Sequence, residues 1–470
     1  MAKEGTGLQE IDAGSNACSV EWCPIAGLES YVACSTYLLE DAPDTHADAA
    51  DETPTPTAAG AAGQETAVEV EVEGEEAKAG AGKVQTRSGT IVVHKLAFNT
   101  PASSSPSSSP TATDGNDAPK SSARLQEAAR VSLDGGVLDA KWCQQPVALG
   151  SSGAASALLA CATSTGRLGL YTLSVADADA DADAGEDVGG SPRLQHSSSS
   201  DADDSLLLSL DWSGGGIADA KIVVSQSDGA LAIWRPHPNG GAPVQEVAPW
   251  HAHTLRGGLP TEAWISFFRK HGSGSGSGCG GQDEAGTSFV VSGADDALMK
   301  GWDLRVGGGA CGAPPAFVCK DHGAGVTAGQ WHPTREHTFA SGSYDESVRI
   351  WDARALGRPV SAFTTPTGGG LWRLKWHPDP DRGNLLLAAC MHAGMRVLDT
   401  GTGIEGGAIE GGGAVGGKDI VAKFTRHASM AYGADWCRLP TLLRTPQAVI
   451  ASCSFYDSLF CLWETPPLWF

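Results

Sequence analysis

Four times in this chain an aspartate stands six residues before a tryptophan, at the turn between two apolar runs: Asp228/Trp234, Asp296/Trp302, Asp345/Trp351 and Asp457/Trp463. The fullest copy spans residues 338–352: an apolar strand, a turn at Tyr344-Asp345-Glu346, and an alternating strand ending in Trp351-Asp352. Upstream of it lies a strand ending in Trp331-His332-Pro333, preceded by His322. Looser copies read Ser209–Trp212 with Ile222–Trp234, Leu138–Trp142 with Leu158–Tyr171, Leu371–Pro378 with Leu385–Asp399, and Tyr432–Trp436 with Val449–Trp463. A first unit reads Ser19–Pro24 with Tyr31–Tyr37, its later strand displaced to Gly89–Leu96. With residues 289–303, that makes seven units. A four-stranded unit of this size cannot bury its apolar faces alone; stacking such units in a ring removes the free faces. The expected fold is therefore all-β: one seven-bladed WD-repeat β-propeller over residues 15–465, closed by joining blade seven to strand material near the N-terminus.

The turn aspartate has a physical role in such a unit. It can orient a histidine from the preceding loop, while a strand serine bridges to the tryptophan indole, so that buried polar groups find partners. His322, Ser341, Asp345 and Trp351 form such a set in blade five. Asp296, Trp302, Asp228, Trp234, Asp457 and Trp463 are read the same way, as scaffold rather than chemistry.

Charge separates the propeller from what interrupts it. The formal net charge is −23, and 20 of those excess negative charges fall in residues 40–76 and 177–204. Acidic tracts poor in large apolar residues cannot form a core. Disordered inserts are expected at 40–87, 99–120 and 176–204, with Gly/Ser-rich or Gly-rich loops at 271–286 and 401–418. No basic stripe is present, so direct nucleic-acid binding is not expected. No run of 18 apolar residues suggests a membrane span, and the first residues lack the apolar core of a secretory signal. The twelve cysteines form no CxxC pair, and several sit in apolar runs. This pattern fits a reducing, cytoplasmic setting.

Familiar catalytic signatures are missing: there is no nucleophile elbow, phosphate-binding loop, zinc-protease motif or dinucleotide fingerprint. The thirteen histidines show no zinc spacing, and no cofactor or metal is expected. Blade six is the anomaly. Aligned on blade five, its tryptophan position is Leu398 and its turn aspartate is His392, beside Cys390 and Met391. One reading is a degenerate turn; the other is a working imidazole, the commonest general base. Asp435 directly precedes a strand tryptophan, as do Glu21 and Asp211. Pairing between blades is one reading of these acids.

Residues 369–378 followed by 385–394, with Tyr432–Trp436 and Ala451–Asp457, resemble the WD-repeat diphthine methyl ester hydrolases. So do stretches in the other units, including Leu208–Trp212, Trp250–His253, Glu262–Ile265 and Ser341–Glu346. The resemblance implies an enzyme that removes the methyl ester from diphthine methyl ester on translation elongation factor 2, giving diphthine for amidation to diphthamide. The factor is then the protein substrate, and a monomer with no membrane association is expected. Position and chemistry suggest His392 as the base, activating water or a nearby hydroxyl or thiol, with Asp435 orienting it. The substrate carries a trimethylammonium group, which aromatic faces and carboxylates suit; Trp372, Tyr344, Tyr456 and Glu346 are the candidates. The competing reading is a non-catalytic interaction scaffold. A methyltransferase is disfavoured by the missing dinucleotide-type fingerprint.

Overall fold

The computed structural model describes residues 2–41, 85–98, 123–147, 156–175, 192–201, 205–214, 216–237, 241–269, 288–306, 313–356, 361–362, 366–401 and 420–468. Two compact units emerge: Leu39–Thr86, of which only the two ends are described, and the remainder of the chain.

The strands of the remainder form seven sheets; in each, consecutive strands pair antiparallel in sequence order, and the two N-terminal strands add to the outer edges of the last two sheets. Blade one comprises Asn16–Trp22, Tyr31–Asp41, Gln85–Phe98 and Ala123–Leu133; blade two Val137–Trp142, Ser156–Thr163, Arg167–Val175 and Pro192–Asp201. Blade three holds Leu207–Trp212, Ile222–Gln226, Ala230–Arg235 and Val244–His251; blade four Ile265–Phe268, Phe289–Gly293, Met299–Asp303 and Phe317–Cys319. Blade five holds Val326–Trp331, Thr338–Ser343, Val348–Asp352 and Ser361–Ala362; blade six Arg373–Trp376, Leu385–Ala389, Met395–Asp399 and Ile420–Phe424. Blade seven takes Ala431–Trp436, Val449–Ser454 and Leu459–Glu464 from the C-terminal end and Thr6–Asp12 from the N-terminal end, paired antiparallel on Leu459–Glu464. This is a seven-bladed β-propeller, and the N-terminal strand closes it.

The core lies between blades. Among the described residues seven apolar clusters fill the seven interfaces, the last joining Ala451, Cys453 and Phe460 of blade seven to Val20, Trp22 and Val32 of blade one. Because neighbouring strand residues face opposite sides, one strand serves two interfaces: Leu386 packs toward blade five, Leu385 and Leu387 toward blade seven. Strands buried on both faces read as continuous apolar runs rather than alternating ones, as Leu385–Ala389 does.

Two boundaries change. Residues 192–201 belong to the expected acidic insert 176–204, yet they form the outer strand of blade two. An edge strand needs backbone pairing and little apolar surface, so its serine-rich sequence hid it. The ring also begins before residue 15, since Lys3–Glu4 pairs in parallel with Ile420–Phe424 and Thr6–Asp12 completes blade seven. The insert at 99–120 and the loops at 271–286 and 401–418 lie outside the described residues, apart from Gly401, and so does the insert at 40–87 apart from residues 40–41 and 85–87 at its ends.

Candidate functional site

The first strands of consecutive blades touch all the way round, forming an inner ring. In an antiparallel sheet the start of the first strand and the end of the second lie at the same end. The loops entering each first strand and the turns leaving each second strand therefore share one face of the ring.

The far end of the inner ring is stapled. The indole Nε1 of Trp142 donates to the Glu21 carbonyl at 3.0 Å, Trp212 to Lys141 at 2.8 Å, Trp376 to Gln330 at 3.2 Å and Trp436 to Lys375 at 2.8 Å. The residue before the tryptophan adds a second link: Asp211 accepts from the Phe268 N–H at 3.0 Å, and Gln330 from the Trp376 N–H at 2.6 Å. Asp435 belongs to this set. It is buried, and its carboxylate takes the N–H of Trp22 at 2.9 Å and that of Trp436 at 3.0 Å. His392 lies in the turn at the opposite end: Met391 bridges Ala431, and Asp435 is four residues further along that strand. At about 3.3 Å per residue the two are separated by roughly 13 Å along the strand. The pairing of Asp435 with His392 expected from sequence is not formed.

At the loop face, aromatic rings run in contact from blade four round to blade one. Trp264, just before the first strand of blade four, meets Tyr344 at 6.3 Å and Trp372 at 5.6 Å between centroids. Trp372 stacks on Tyr432 at 4.5 Å, Tyr432 meets Phe455 at 5.4 Å, and Phe455 meets Tyr37 at 6.1 Å. All six rings are half-buried. Glycines admit them: a Cβ on Gly325 would stand 2.4 Å from Asp295 Oδ1 and 3.1 Å from the Tyr344 ring, and one on Gly136 would strike Tyr37. Of the sequence candidates, Trp372 and Tyr344 lie in this belt. Tyr456 is 59% exposed and stands edge-on against Phe455, outside it. Trp264, Tyr432, Phe455 and Tyr37 were not anticipated.

Acids border the belt. Asp295 accepts the Trp264 indole N–H at 2.9 Å. Burial pushes the Tyr344 hydroxyl far up, with Tyr432, Asp295 and Glu262 adding to it, and burial likewise raises Tyr432. Both rings therefore stay neutral phenols, able to donate but not to act as bases near neutral pH. Glu346 sits in the blade-five turn at φ 61°, and its charge reaches Cys390 in the His392 turn. Among the described residues its carboxylate has no hydrogen-bond or ion-pair partner. His392 itself is exposed. Burial raises the Cys390 thiol to about 12, which removes the neighbouring thiol as a ready nucleophile.

The scaffold sets appear as bonded networks. His253 bridges Asp296 (2.9 Å) and Ser292 (2.8 Å), and Ser292 accepts from the Trp302 indole. His322 bridges Asp345 (3.2 Å) and Ser341 (2.7 Å), and Ser341 accepts from Trp351. In blade seven His427 bonds Ser452 and Ser454, Ser452 accepts from Trp463, and Asp457 accepts the Ala428 N–H. Blade three lacks the set: Asp228 caps the Ala230 N–H, and the buried Trp234 Nε1 has no partner among the described residues. Among the described residues no cluster of three or more metal-type ligands occurs, and no helix is long and apolar enough to cross a membrane.

Comparison with known proteins places this geometry. The diphthine methyltransferase of Mus musculus is 32% identical over 438 residues, covering 91% of this chain and 69% of that protein. That of Homo sapiens is 32% identical over 435 residues, covering 91% and 74%. The chain belongs to the diphthine methyltransferase family. A diphthine methyltransferase homolog of Dictyostelium discoideum is 31% identical over 348 residues, covering 72% of this chain and 79% of that one. No family model matches the chain. A chain in the crystal structure of a mitotic checkpoint complex superposes with a TM-score of 0.52 at 12% identity, covering 98% of this chain and 92% of that one, which shows the fold alone. The diphthine methyltransferase name differs from the hydrolase resemblance read from the sequence: it describes the addition of a methyl group, not its removal.

Proposed function

We propose that this chain hydrolyses the methyl ester of diphthine methyl ester on translation elongation factor 2, releasing diphthine and methanol. The aromatic belt of Trp264, Tyr344, Trp372 and Tyr432 carries this reading. A trimethylammonium group has no hydrogen to donate, so it is recognised through aromatic faces and nearby negative charge. Trp264 contacts both Tyr344 and Trp372, with Asp295 and Glu262 beside these rings and the Glu346 carboxylate, unpaired among the described residues, at the adjoining turn.

In the reaction, water adds its hydroxyl to the acyl carbon and the bond to the methoxy oxygen breaks. Methanol leaves with a proton, and the freed acid ionises. An imidazole can carry that proton from water to the leaving group. His392 is the histidine of a blade turn on this face that no buried network holds. Glu346, whose charge reaches Cys390 of the same turn, is the acid available to orient it once substrate is bound, since Asp435 lies at the other end of the strand. A methyltransferase would move the methyl group the other way, and the relatives' name favours that alternative. A cytoplasmic monomer that acts without a cofactor completes the reading.

The experiment is methanol release from methylated elongation factor 2 by the purified protein, beside His392→Ala, with circular dichroism confirming that both fold. Release by the wild type alone supports the esterase with His392 in the site. Release by both keeps the esterase and discards His392. Incorporation of a methyl group in place of release establishes the transferase. Factor binding with neither reaction establishes a scaffold.

A further inference from the structure

Below the aromatic belt, charged side chains of the inner ring meet across its interior. Arg373 of blade six pairs with Asp139 of blade two at 2.9 Å, and Lys375 of blade six bonds Glu21 of blade one. Blades seven and one stand between the first pair in sequence around the ring, so that contact must cross the axis. All four residues are buried.

These groups are satisfied to different degrees. Asp139 also accepts the N–H groups of Ala140 (3.0 Å) and Leu210 (3.1 Å). Lys141 gives its ammonium to the Leu210 carbonyl at 2.6 Å. Arg373 is the exception. It is 7% exposed, and one nitrogen meets Asp139 Oδ1. Among the described residues the guanidinium has no other hydrogen-bond partner. A guanidinium carries five donors in a rigid fork suited to a carboxylate, and one carboxylate oxygen leaves most of that fork unused.

The group also lies at the right depth. Arg373 follows Trp372 of the belt in the chain. Cys18 lies within electrostatic reach of Arg373 and Asp139 on one side and of Tyr37 and Tyr432 on the other. The belt and the guanidinium thus share Cys18 as a neighbour.

We propose that Arg373, positioned by Asp139, receives a carboxylate oxygen at the floor of the aromatic mouth, so that the site selects molecules bearing both a quaternary ammonium and a carboxylate. The natural ligand, the diphthine product, rests on the esterase reading; the site itself does not. Choosing a carboxylate over a neutral group through a charge-assisted bond is worth about tenfold or more in affinity.

Two probes test it by titration calorimetry on the full chain: glycine betaine, which carries both groups, and choline, which lacks the carboxylate. Wild type should bind glycine betaine about tenfold more tightly than choline. Arg373→Met should bring the two within about twofold while leaving choline unchanged, and Arg373→Lys should keep part of the preference. If Arg373→Met does not fold, the wild-type ratio and Arg373→Lys decide. Equal binding by the wild type, a preference that survives in Arg373→Met, or no binding of either probe overturns the proposal. Methanol release measured in parallel separates the two readings. A betaine preference without methanol release keeps this site and sinks the esterase. Methanol release without the preference keeps the esterase and sinks this site.

Discussion

The Asp435 carboxylate accepts the backbone N–H of Trp22 at 2.9 Å across the interface where the ring closes, joining residues 413 positions apart. Both partners are buried, and the bond is charge-assisted. Removing such an acceptor strands the Trp22 N–H and costs about 1–3 kcal/mol. Asp435→Ala should therefore lower the unfolding free energy measured in urea by that amount, while Asp435→Asn, which keeps an acceptor oxygen, loses less. Turnover per folded molecule should fall far less than stability. A loss of activity in fully folded Asp435→Ala would return the residue to the catalytic site.

The serine-bridged tryptophans give a comparison within one molecule. Trp351 donates to Ser341, which His322 also reaches, whereas the Trp234 indole nitrogen has no partner among the described residues. Replacing each by phenylalanine removes similar bulk but different hydrogen bonding. Trp351→Phe should cost about 1–2 kcal/mol more than Trp234→Phe, read by denaturant unfolding. Equal losses would mean that the network contributes only packing.

The repeat was legible because four units keep a turn aspartate six residues before a tryptophan, and three of them add a strand serine that takes the indole N–H. Looser strand–turn–strand copies completed the seven units and the closure through the N-terminus. The belt was legible only in part. Trp372 and Tyr344 sit beside recognisable turns, but Trp264, Tyr432, Phe455 and Tyr37 come from four different loops and strands, and only ring closure brings them together. The one signal for them was the glycine before several first strands, such as Gly136 and Gly325, where a side chain would collide with an aromatic ring. Asp435 misled for a related reason. Its sequence position resembles that of a free acid, yet the neighbouring blade supplies its partner from the far end of the chain.

A ring of the belt and the exposed ring outside it should behave differently. Trp264 contacts both Tyr344 and Trp372 and is tied to Asp295, while Tyr456 touches only Phe455 among the rings. Cation–π contacts in partly desolvated sites are worth about 1–2 kcal/mol. Trp264→Ala should weaken choline binding about tenfold, and Tyr456→Ala should leave it within about twofold. Comparable losses at both positions would move the cation site outward, to the rim at Tyr456.

Four buried histidines, His94, His332, His377 and His427, are each lowered from 6.5 to about 4, in every case chiefly by burial. The folded state therefore holds them neutral, while the unfolded chain binds a proton on each below about pH 6.5. Stability from this source is complete above pH 6.5 and is lost as the pH falls from 6.5 toward 4; below that, both states are protonated and the loss levels off. Each histidine accounts for at most about 3 kcal/mol. His427 is the sharpest test, since both ring nitrogens bond serines, Ser454 at 2.7 Å and Ser452 at 2.8 Å, and charging the ring would force two donors on them. Melting temperatures measured from pH 7.5 to 4 should fall steeply across that window for the wild type. His427→Gln should be less stable at pH 7.5 but show a shallower fall, by about one proton's linkage. An unchanged slope would mean that His427 is already protonated in the folded ring.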